Sequence, residues 1–572
     1  MKSLRVLGAV LALLGSGVAL DREAFTASHY DLTLRLDPAQ HRLGAHGTIT
    51  LRNDSPQPQR IVALQISSSL NWRSIRLLSD SQPDSSLAVQ FLRQPYTSDI
   101  DHTGELSEAI VTLPRDVVPK ESITLAISYE GVIVLDATRL TRVGTPEAVA
   151  RHSDWDQIGK DFTAVRGVGY VTWYPVALEA QNLSDGPAMF TALGKWKARH
   201  AISKMELTIE LVPNASTPNS EQPELLSNGK SCASAENSVS GLTTLSGCVF
   251  EALGWANPLF VVGNFQQTVA PPIRIHVAAS DTSTAQELAK TSDRSAYLIK
   301  DWFGAPHENL EIVDLADPEA APFEAGNWLL IPLAKTHPQM EHNLIVHQLT
   351  HASFPSPRLW IYEGAAHFAQ ALSQEKDGRE AALAYLAPHR DAVAQAEKLG
   401  TGEALADATQ EVFYRSKATL VWWMLRDMLG DAPLKRALHE YSPDKDQDPT
   451  YLQRLLETQS KRDLGWFFHD WIYTDAGLPD FHIESANARL ANGTNFVTAI
   501  TVANTGAAGA EVSVTIHTAS GDFTQRLEVQ GKAKAVTRIA TPAEPLEVIV
   551  NDGSVPESGA SDHHLKIAKD AS

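Results

Sequence analysis

The stretch His347-Gln348-Leu349-Thr350-His351 places two histidines four positions apart. Residues four apart on an α-helix lie on one face, so both imidazoles point the same way. Pro355 follows and ends a helix, and a second helical segment begins after Arg358 and carries Glu363. Because the connection is short and contains proline, we expect the two helices to be antiparallel neighbours, with Glu363 facing the histidines.

Two imidazoles and a carboxylate form a ligand set for Zn²⁺, so His347, His351 and Glu363 predict a zinc site. In the zinc-protease pattern HExxH, the glutamate takes a proton from the attacking water. Here that position is Gln348, an amide that orients a water but cannot remove its proton. Since losing a positioned general base costs about 10²- to 10⁴-fold in rate, the sequence favours a metal site more firmly than it favours hydrolysis.

The histidine pair alone is weak evidence for a metal. The chain has 20 histidines in 572 residues, so chance can produce this spacing. On the spacing alone, an exposed or hydrogen-bonded pair on an ordinary helix is the alternative, and it stays open.

Several segments resemble the membrane alanyl aminopeptidase family of gluzincin zinc peptidases, which includes leukotriene A4 hydrolase. They occur in the family's order and cover most of residues 25–480. The segments are 30–37, 47–51, 171–175, 258–265, 325–331, 362–364, 413–418, 471–473 and 477–479. The resemblance implies an α+β multidomain fold with an N-terminal antiparallel β domain and a central, mainly helical domain of the thermolysin type, acting on peptides with Zn²⁺.

The resemblance also implies roles for single residues. Tyr414 is expected to donate a hydrogen bond to the oxyanion formed as water adds to the peptide carbonyl. Its alternative is a packing residue of an amphipathic helix. Gly326 and Asn327 are expected at the substrate-binding site, in the segment that resembles GAMENWGLI.

The chain departs from the family pattern near these residues. Gln348 replaces the catalytic glutamate, and Gly326 occupies the place of the glutamate that holds the substrate's α-amine. Glu324 lies two positions away and is a candidate substitute base only if an edge strand brings it close. His367 is a second candidate, as a partner of the site or a proton acceptor, and otherwise a polar residue of the cleft wall. Lys417 lies three positions after Tyr414, where the family has two.

Residues 1–19 predict a secretory signal peptide, because basic residues precede a short apolar run that ends in small residues up to Ala19. We therefore expect an exported protein, periplasmic or extracellular, without a membrane span.

The two cysteines, Cys232 and Cys248, agree with export and predict one disulfide, with two free thiols as the alternative. The formal charge of −20 argues against nucleic acid as a partner, and the oligomeric state is left open.

The periodicity of apolar residues changes along the chain and predicts the domains. Alternating segments predict β structure at 20–270, helical periodicity predicts the zinc-peptidase-like domain at 271–478, and alternation returns in a small β sandwich at 479–555. A polar tail at 556–572 is predicted to be disordered. The predicted function is an exported zinc metallopeptidase-like protein with activity weakened at Gln348. The alternative is an inactive peptide-binding or structural protein that retains the fold.

Overall fold

The computed structural model describes residues 20–79, 82–212, 223–235, 244–278, 282–335, 338–400, 402–492, 495–559 and 563–567. The predicted signal peptide lies outside these residues. No helix within the described ranges is long and apolar enough to cross a membrane.

The N-terminal region is built mainly from strands. Its strands are β1 Phe25–Asp37, β2 Arg42–Asn53, β3 Gln59–Ser67, β4 Leu70–Ser79, β5 Gln82–Ala88, β6 Gln90–Thr97, β7 Glu105–Val117, β8 Ser122–Val132, β9 Phe162–Val165, β10 Lys204–Leu211, β11 Glu224–Ser227, β12 Lys230–Ala235, β13 Thr244–Phe250 and β14 Phe260–Gly263. Its helices are α1 Thr138–Arg142, α2 Glu147–Ser153 and α3 Gly186–His200. Side chains alternate between the two faces of β1, so Leu32, Leu34 and Leu36 are fully buried while Asp31 and Arg35, on the opposite face, are exposed.

These strands form three sheets. The largest has the order β12-β13-β10-β1-β2-β8-β4-β5, and the others are β3-β7-β6 and β11-β14-β9. The described strand pairs are antiparallel, as predicted, except that β1 and β10 are parallel. A parallel pair needs a crossover connection, and here the chain makes one through the other strands and α1 to α3 before β10 returns to β1.

The central region combines one sheet with many helices. Its strands are β15 Phe265–Ala270, β16 Ile273–Ala278, β17 Leu310–Asp314, β18 Phe323–Ala325 and β19 Trp328–Ile331. Its helices are α4 Thr282–Thr291, α5 Asp293–Phe303, α6 Pro338–Ser353, α7 Leu359–Gln374, α8 Arg379–Lys398, α9 Ala418–Leu429, α10 Asp431–Glu440, α11 Tyr451–Ser460 and α12 Gly465–Phe468. The sheet order is β15-β16-β17-β19-β18, which leaves β18 at an edge. The hairpin of β15 and β16 spans residue 270, so the strand before the predicted domain boundary shares a sheet with the strands after it.

The C-terminal region consists of two small antiparallel sheets. Its strands are β20 Phe481–Asn492, β21 Asn495–Asn504, β22 Ala510–Thr518, β23 Gly521–Val529, β24 Lys534–Thr541, β25 Pro545–Val550 and β26 His564–Lys566. The sheet orders are β20-β21-β24 and β23-β22-β25-β26. Within the predicted disordered tail, β26 instead pairs with β25, because the free edge of β25 offers backbone hydrogen bonds to a short segment. The α+β fold class, with a β-rich N-terminal region, a helical centre and C-terminal sheets, is confirmed.

Candidate metal centre

The three predicted zinc ligands lie together. His347 and His351 are one turn apart on α6, and their Nε2 atoms are 3.0 Å apart. Glu363, on α7, places Oε2 at 3.6 Å from His347 Nε2 and Oε1 at 3.8 Å from His351 Nε2. Within the described ranges, these three residues form the one group of at least three ligating side chains whose atoms lie within 4.8 Å of one another.

The helices are positioned by features visible in the sequence. Arg358, with an extended backbone, precedes the first residue of α7 and follows the proline-containing turn after α6. Gly364, next to the ligand Glu363, lets α7 pack closely on α9, since a Cβ there would lie 2.6 Å from that of Ala418. The Tyr362 ring stacks on the His351 imidazole with centroids 3.7 Å apart, which restricts the orientation of that ring.

The geometry of the three side chains fits a zinc ion. Zinc bonds of 2.0–2.1 Å in a tetrahedral arrangement place ligand atoms about 3.3 Å from one another. The observed separations of 3.0, 3.6 and 3.8 Å lie close to this value. Two imidazoles with one carboxylate also match catalytic zinc sites, which leave a fourth position open.

The electrostatics of the three residues suit ligation. Burial raises the pKa of Glu363, but the hydrogen bond with His347 and the charges around it outweigh this and lower the pKa to about 2. Burial, and then the charge of His347, lower the pKa of His351 to about 3. Burial also lowers the pKa of His347, yet Glu324 and Glu363 together raise it above the ordinary value. The Glu363 carboxylate and the neutral imidazole of His351 are therefore in place as ligands, and a metal would compete with a proton for His347.

Gln348, where the HExxH pattern has glutamate, is fully buried and contacts a carboxylate. Its Nε2 donates a hydrogen bond to Oε2 of Glu324, on the edge strand β18. The same Glu324 oxygen lies 3.7 Å from His347 Nε2. Gln348 Oε1 has no hydrogen-bond partner among the described residues. The edge strand β18 thus brings the Glu324 carboxylate to the centre. In the sequence, Glu324 lies two positions before Gly326, where the sequence pattern expects a glutamate.

A cavity of about 900 Å³ opens in front of the centre. It is lined by the three ligands, Gln348 and Glu324, and by residues of α3, α8 and the segment before α9. Tyr414 lines this cavity and is half-buried. Burial, and then the charges of Glu411 and Glu363, raise its pKa, so that its hydroxyl keeps its proton and remains a donor.

Tyr414 lies in a π-helical segment, Val412–Lys417, that leads into α9. A π turn contains one residue more than an α turn. Lys417 at its end is fully buried, with Nζ 2.9 Å from Asp475 Oδ1 and 3.4 Å from Glu397 Oε1. The extra residue between Tyr414 and Lys417, noted as a departure in the sequence, lies within this wider turn.

The two predicted substrate-binding residues lie in different surroundings. Gly326 lines the cavity, and its φ of 66° is in the region that favours glycine. A Cβ there would lie 3.5 Å from Ala256 Cβ and 3.6 Å from the Tyr362 hydroxyl. The Asn327 side chain instead donates a hydrogen bond to the Asn309 carbonyl at 2.8 Å, and Asn327 is not among the residues that line the cavity.

The cavity also contains His367, the second candidate base of the sequence analysis, and two residues that the sequence did not single out, Lys197 and Arg415. His367 packs against the His347 ring, with centroids 4.7 Å apart, and its Nδ1 lies 3.1 Å from the Tyr385 hydroxyl. Lys197 reaches the cavity from α3, in the N-terminal region. Arg415 lines it from the π-helical segment and donates to Glu411 Oε1 at 2.6 Å. No local pattern marks Lys197 and Arg415, because only the folded chain brings them to this cavity.

The predicted disulfide lies away from this cavity. Cys248, on β13, is buried and disulfide-bonded, and β12, which contains Cys232, is its neighbouring strand. The side chain of Cys232 is outside the described part of the chain, so the pairing of these two cysteines stays a prediction.

Comparison with known proteins gives structural neighbours only. The sequence matches no protein-family model and no curated protein. Among solved structures, the chain is similar to the M1 zinc metallopeptidase from Deinococcus radiodurans, with 19% identity, a TM-score of 0.46 and coverage of 79% of this chain and 95% of that chain. A mutant of that enzyme bound to a Tyr-Ser-Ala substrate gives 18% identity, a TM-score of 0.47 and coverage of 79% and 94%. Both TM-scores are below 0.5.

Proposed function

We propose that this protein is an exported zinc-dependent hydrolase of peptide bonds. The observation that supports it is the convergence of His347 Nε2, His351 Nε2 and the Glu363 carboxylate at separations that suit one zinc ion. The cavity of about 900 Å³ in front of them gives room for a short stretch of peptide.

The chemistry divides between the ion and the side chains. When bound, zinc polarises a carbonyl and makes water more acidic. Gln348 orients the attacking water, since its Oε1 is buried and has no partner among the described residues. Tyr414 donates a hydrogen bond to the developing oxyanion, and Gly326 leaves space along the cavity wall for the substrate.

Gln348 also favours a second candidate function, a catalytically silent peptide-binding or structural protein. A neutral amide cannot accept the proton of the attacking water. In that case the zinc ligands and the cavity would serve binding alone.

Zinc stoichiometry and turnover together test the two candidates. We expect the purified full chain to contain one zinc per molecule and to hydrolyse members of a panel of peptides with free and blocked amino ends. His347→Ala should abolish both the zinc and the turnover. A zinc-containing wild type that is inert while Gln348→Glu hydrolyses peptides would establish the silent alternative.

Export has a test of its own. We expect the protein isolated from the producing cell to lack residues 1–19 and to be found outside the cytoplasm, as determined by intact mass and cell fractionation. Retention of the full N-terminus in the cytoplasm would contradict this part of the proposal.

A further inference from the structure

The metal centre lacks a carboxylate on its helix at position 348 but has one on the facing strand. Glu324, on β18, accepts the hydrogen bond of Gln348 Nε2, and its side chain is 40% exposed to the cavity. The amide has only one orientation consistent with this contact, because turning Oε1 towards the carboxylate would place two acceptors against each other.

Given the hydrolase proposed above, we propose that Glu324 is the general base of the reaction and that Gln348 is a positioning residue that holds it. The two ends of the Gln348 amide have different partners. Its Nε2 donates a hydrogen bond to the Glu324 carboxylate, while its Oε1, buried and without a partner among the described residues, is left to accept a hydrogen bond from the attacking water. The proposed base therefore lies on the strand β18 and not on the helix α6. The hydrogen bond from Gln348 connects it to position 348.

Two neighbouring groups fit the role less well. Glu363 has both carboxylate oxygens directed at the imidazoles, which suits a ligand. His367 has its Nδ1 engaged with the Tyr385 hydroxyl and no described contact with Gln348. Glu324, in contrast, is outside the group of ligand atoms that converge within 4.8 Å, so it is close to the centre without being part of the ligand set.

The step balances with water as the only co-reactant. The water oxygen bonds to the carbonyl carbon while one of its protons passes to the Glu324 carboxylate. The C–N bond then breaks with its electron pair on nitrogen, and Glu324 returns the proton to that nitrogen. The products are a carboxylic acid and an amine, and Glu324 is again a carboxylate.

Exchange of the two side chains tests the assignment. We compare wild type with Glu324→Gln, Gln348→Glu and the double variant Glu324→Gln/Gln348→Glu, all as full chains loaded with zinc. Glu319→Gln is the matched control, because it makes the same change on an exposed side chain outside the cavity.

We expect Glu324→Gln to lower kcat by about 10²- to 10⁴-fold with KM and zinc content unchanged. The double variant should recover to within about tenfold of wild type, because the carboxylate returns to the helix.

Binding of a peptide hydroxamate, measured by calorimetry, gives a readout that needs no turnover. A hydroxamic acid releases a proton when it chelates zinc, and a neighbouring base takes it. We expect Glu324→Gln to weaken this binding by about 10- to 100-fold, the loss of one charge-assisted hydrogen bond. Glu319→Gln should bind as wild type does.

Three results would overturn the assignment of Glu324 while leaving the proposed function standing or replaced by its alternative. Glu324→Gln with the kcat of wild type would show that another group takes the proton. A tenfold loss of zinc affinity in Glu324→Gln would make Glu324 a ligand instead of a base. Turnover by Gln348→Glu beside an inert wild type would show that Glu324 does not act where it stands, although the site itself is competent. If every variant binds zinc and none cleaves any peptide, the proposed function fails and this assignment fails with it.

Discussion

Two buried histidines in this molecule each lie beside two carboxylates, yet the arrangements are opposite. His276, on β16, has Nε2 at 2.9 Å from Glu311 Oε2 and Nδ1 at 3.7 Å from Glu224 Oε2. His347 has both Glu363 and Glu324 near the same atom, Nε2, at 3.6 and 3.7 Å. We call His276, Glu224 and Glu311 the divergent cluster, and His347, His351, Glu363 and Glu324 the convergent cluster.

The direction of the carboxylates decides what each cluster can do. In the divergent cluster the carboxylates lie on opposite sides of one ring. The imidazole is hydrogen-bonded to Glu311 and forms a longer ion pair with Glu224 when protonated, which ties β11 to the sheet that contains β16 and β17. In the convergent cluster several ligand atoms meet at one point beside a cavity, where a metal ion can bind several of them at once. Residue composition is similar in both, so geometry separates an ion pair that stabilises the fold from a candidate ligand site.

Removal of a ligand from the convergent cluster should have the largest effect. We expect His351→Ala to weaken zinc binding by more than about 100-fold, since even the loss of partners around a ligand costs about 10- to 100-fold. Zinc added to the metal-free protein should raise its melting temperature in wild type and not in the variant. His276→Gln is the control and should keep a full equivalent of zinc. Tight zinc binding by His351→Ala would remove the distinction between the clusters.

Tyr414→Phe tests whether a donor facing the convergent cluster takes part in the chemistry. We expect kcat to fall by about 10²- to 10³-fold, as for the loss of one oxyanion donor, while zinc content stays the same. An unchanged kcat would return Tyr414 to the alternative of a packing residue.

His276→Gln should reduce stability, because it removes the charged partner of Glu311 Oε2 and leaves only Arg274, which contacts the other oxygen, to pair with this buried carboxylate. We expect a loss of about 1–3 kcal/mol in the free energy of unfolding. Burial lowers the pKa of His276, but Glu224 and Glu311 together raise it above 6.5. The contribution is therefore complete below about pH 6.5 and is lost as the pH rises through the raised value in the folded protein. Urea unfolding of both proteins at about pH 6 and pH 9 measures this, and an equal difference at both values would contradict it.

Gly326→Ala should have the smallest effect and separates backbone strain from space in the cavity. The positive φ predicts a loss of about 1–2 kcal/mol in stability. Gly304→Ala is a matched control, with a φ of 92° and no atom within 4 Å of the added Cβ. Both should lower the melting temperature, and only Gly326→Ala should raise KM. An equal KM in both variants would place the substrate away from this wall.

Local patterns in the sequence predicted much of this structure. The end of α6 was visible from Pro355, the start of α7 from Arg358, and the ligand spacing from helical periodicity. Each of these features is determined by residues close to it in the sequence. The function and the roles of the ligands stay proposals, although the predicted ligands do lie together.

Long-range features of the site were harder to predict. Glu324 reaches Gln348 only because β18 lies at the edge of a sheet whose order no short segment reveals. Lys197 comes from α3, far away in the sequence, and the parallel pairing of β1 with β10 also depends on distant strands. The three residues of the divergent cluster are likewise brought together from three separate strands.

The wide turn at Val412–Lys417 has a consequence for how relatives of this chain should be sought. Lys417 is anchored to Asp475 and Glu397, whereas Tyr414 faces the cavity, so the π turn accommodates one residue more between these two ends than an α turn would. Searches that demand a constant interval between the two will miss such sequences. An alignment that permits a single gap there would recover them.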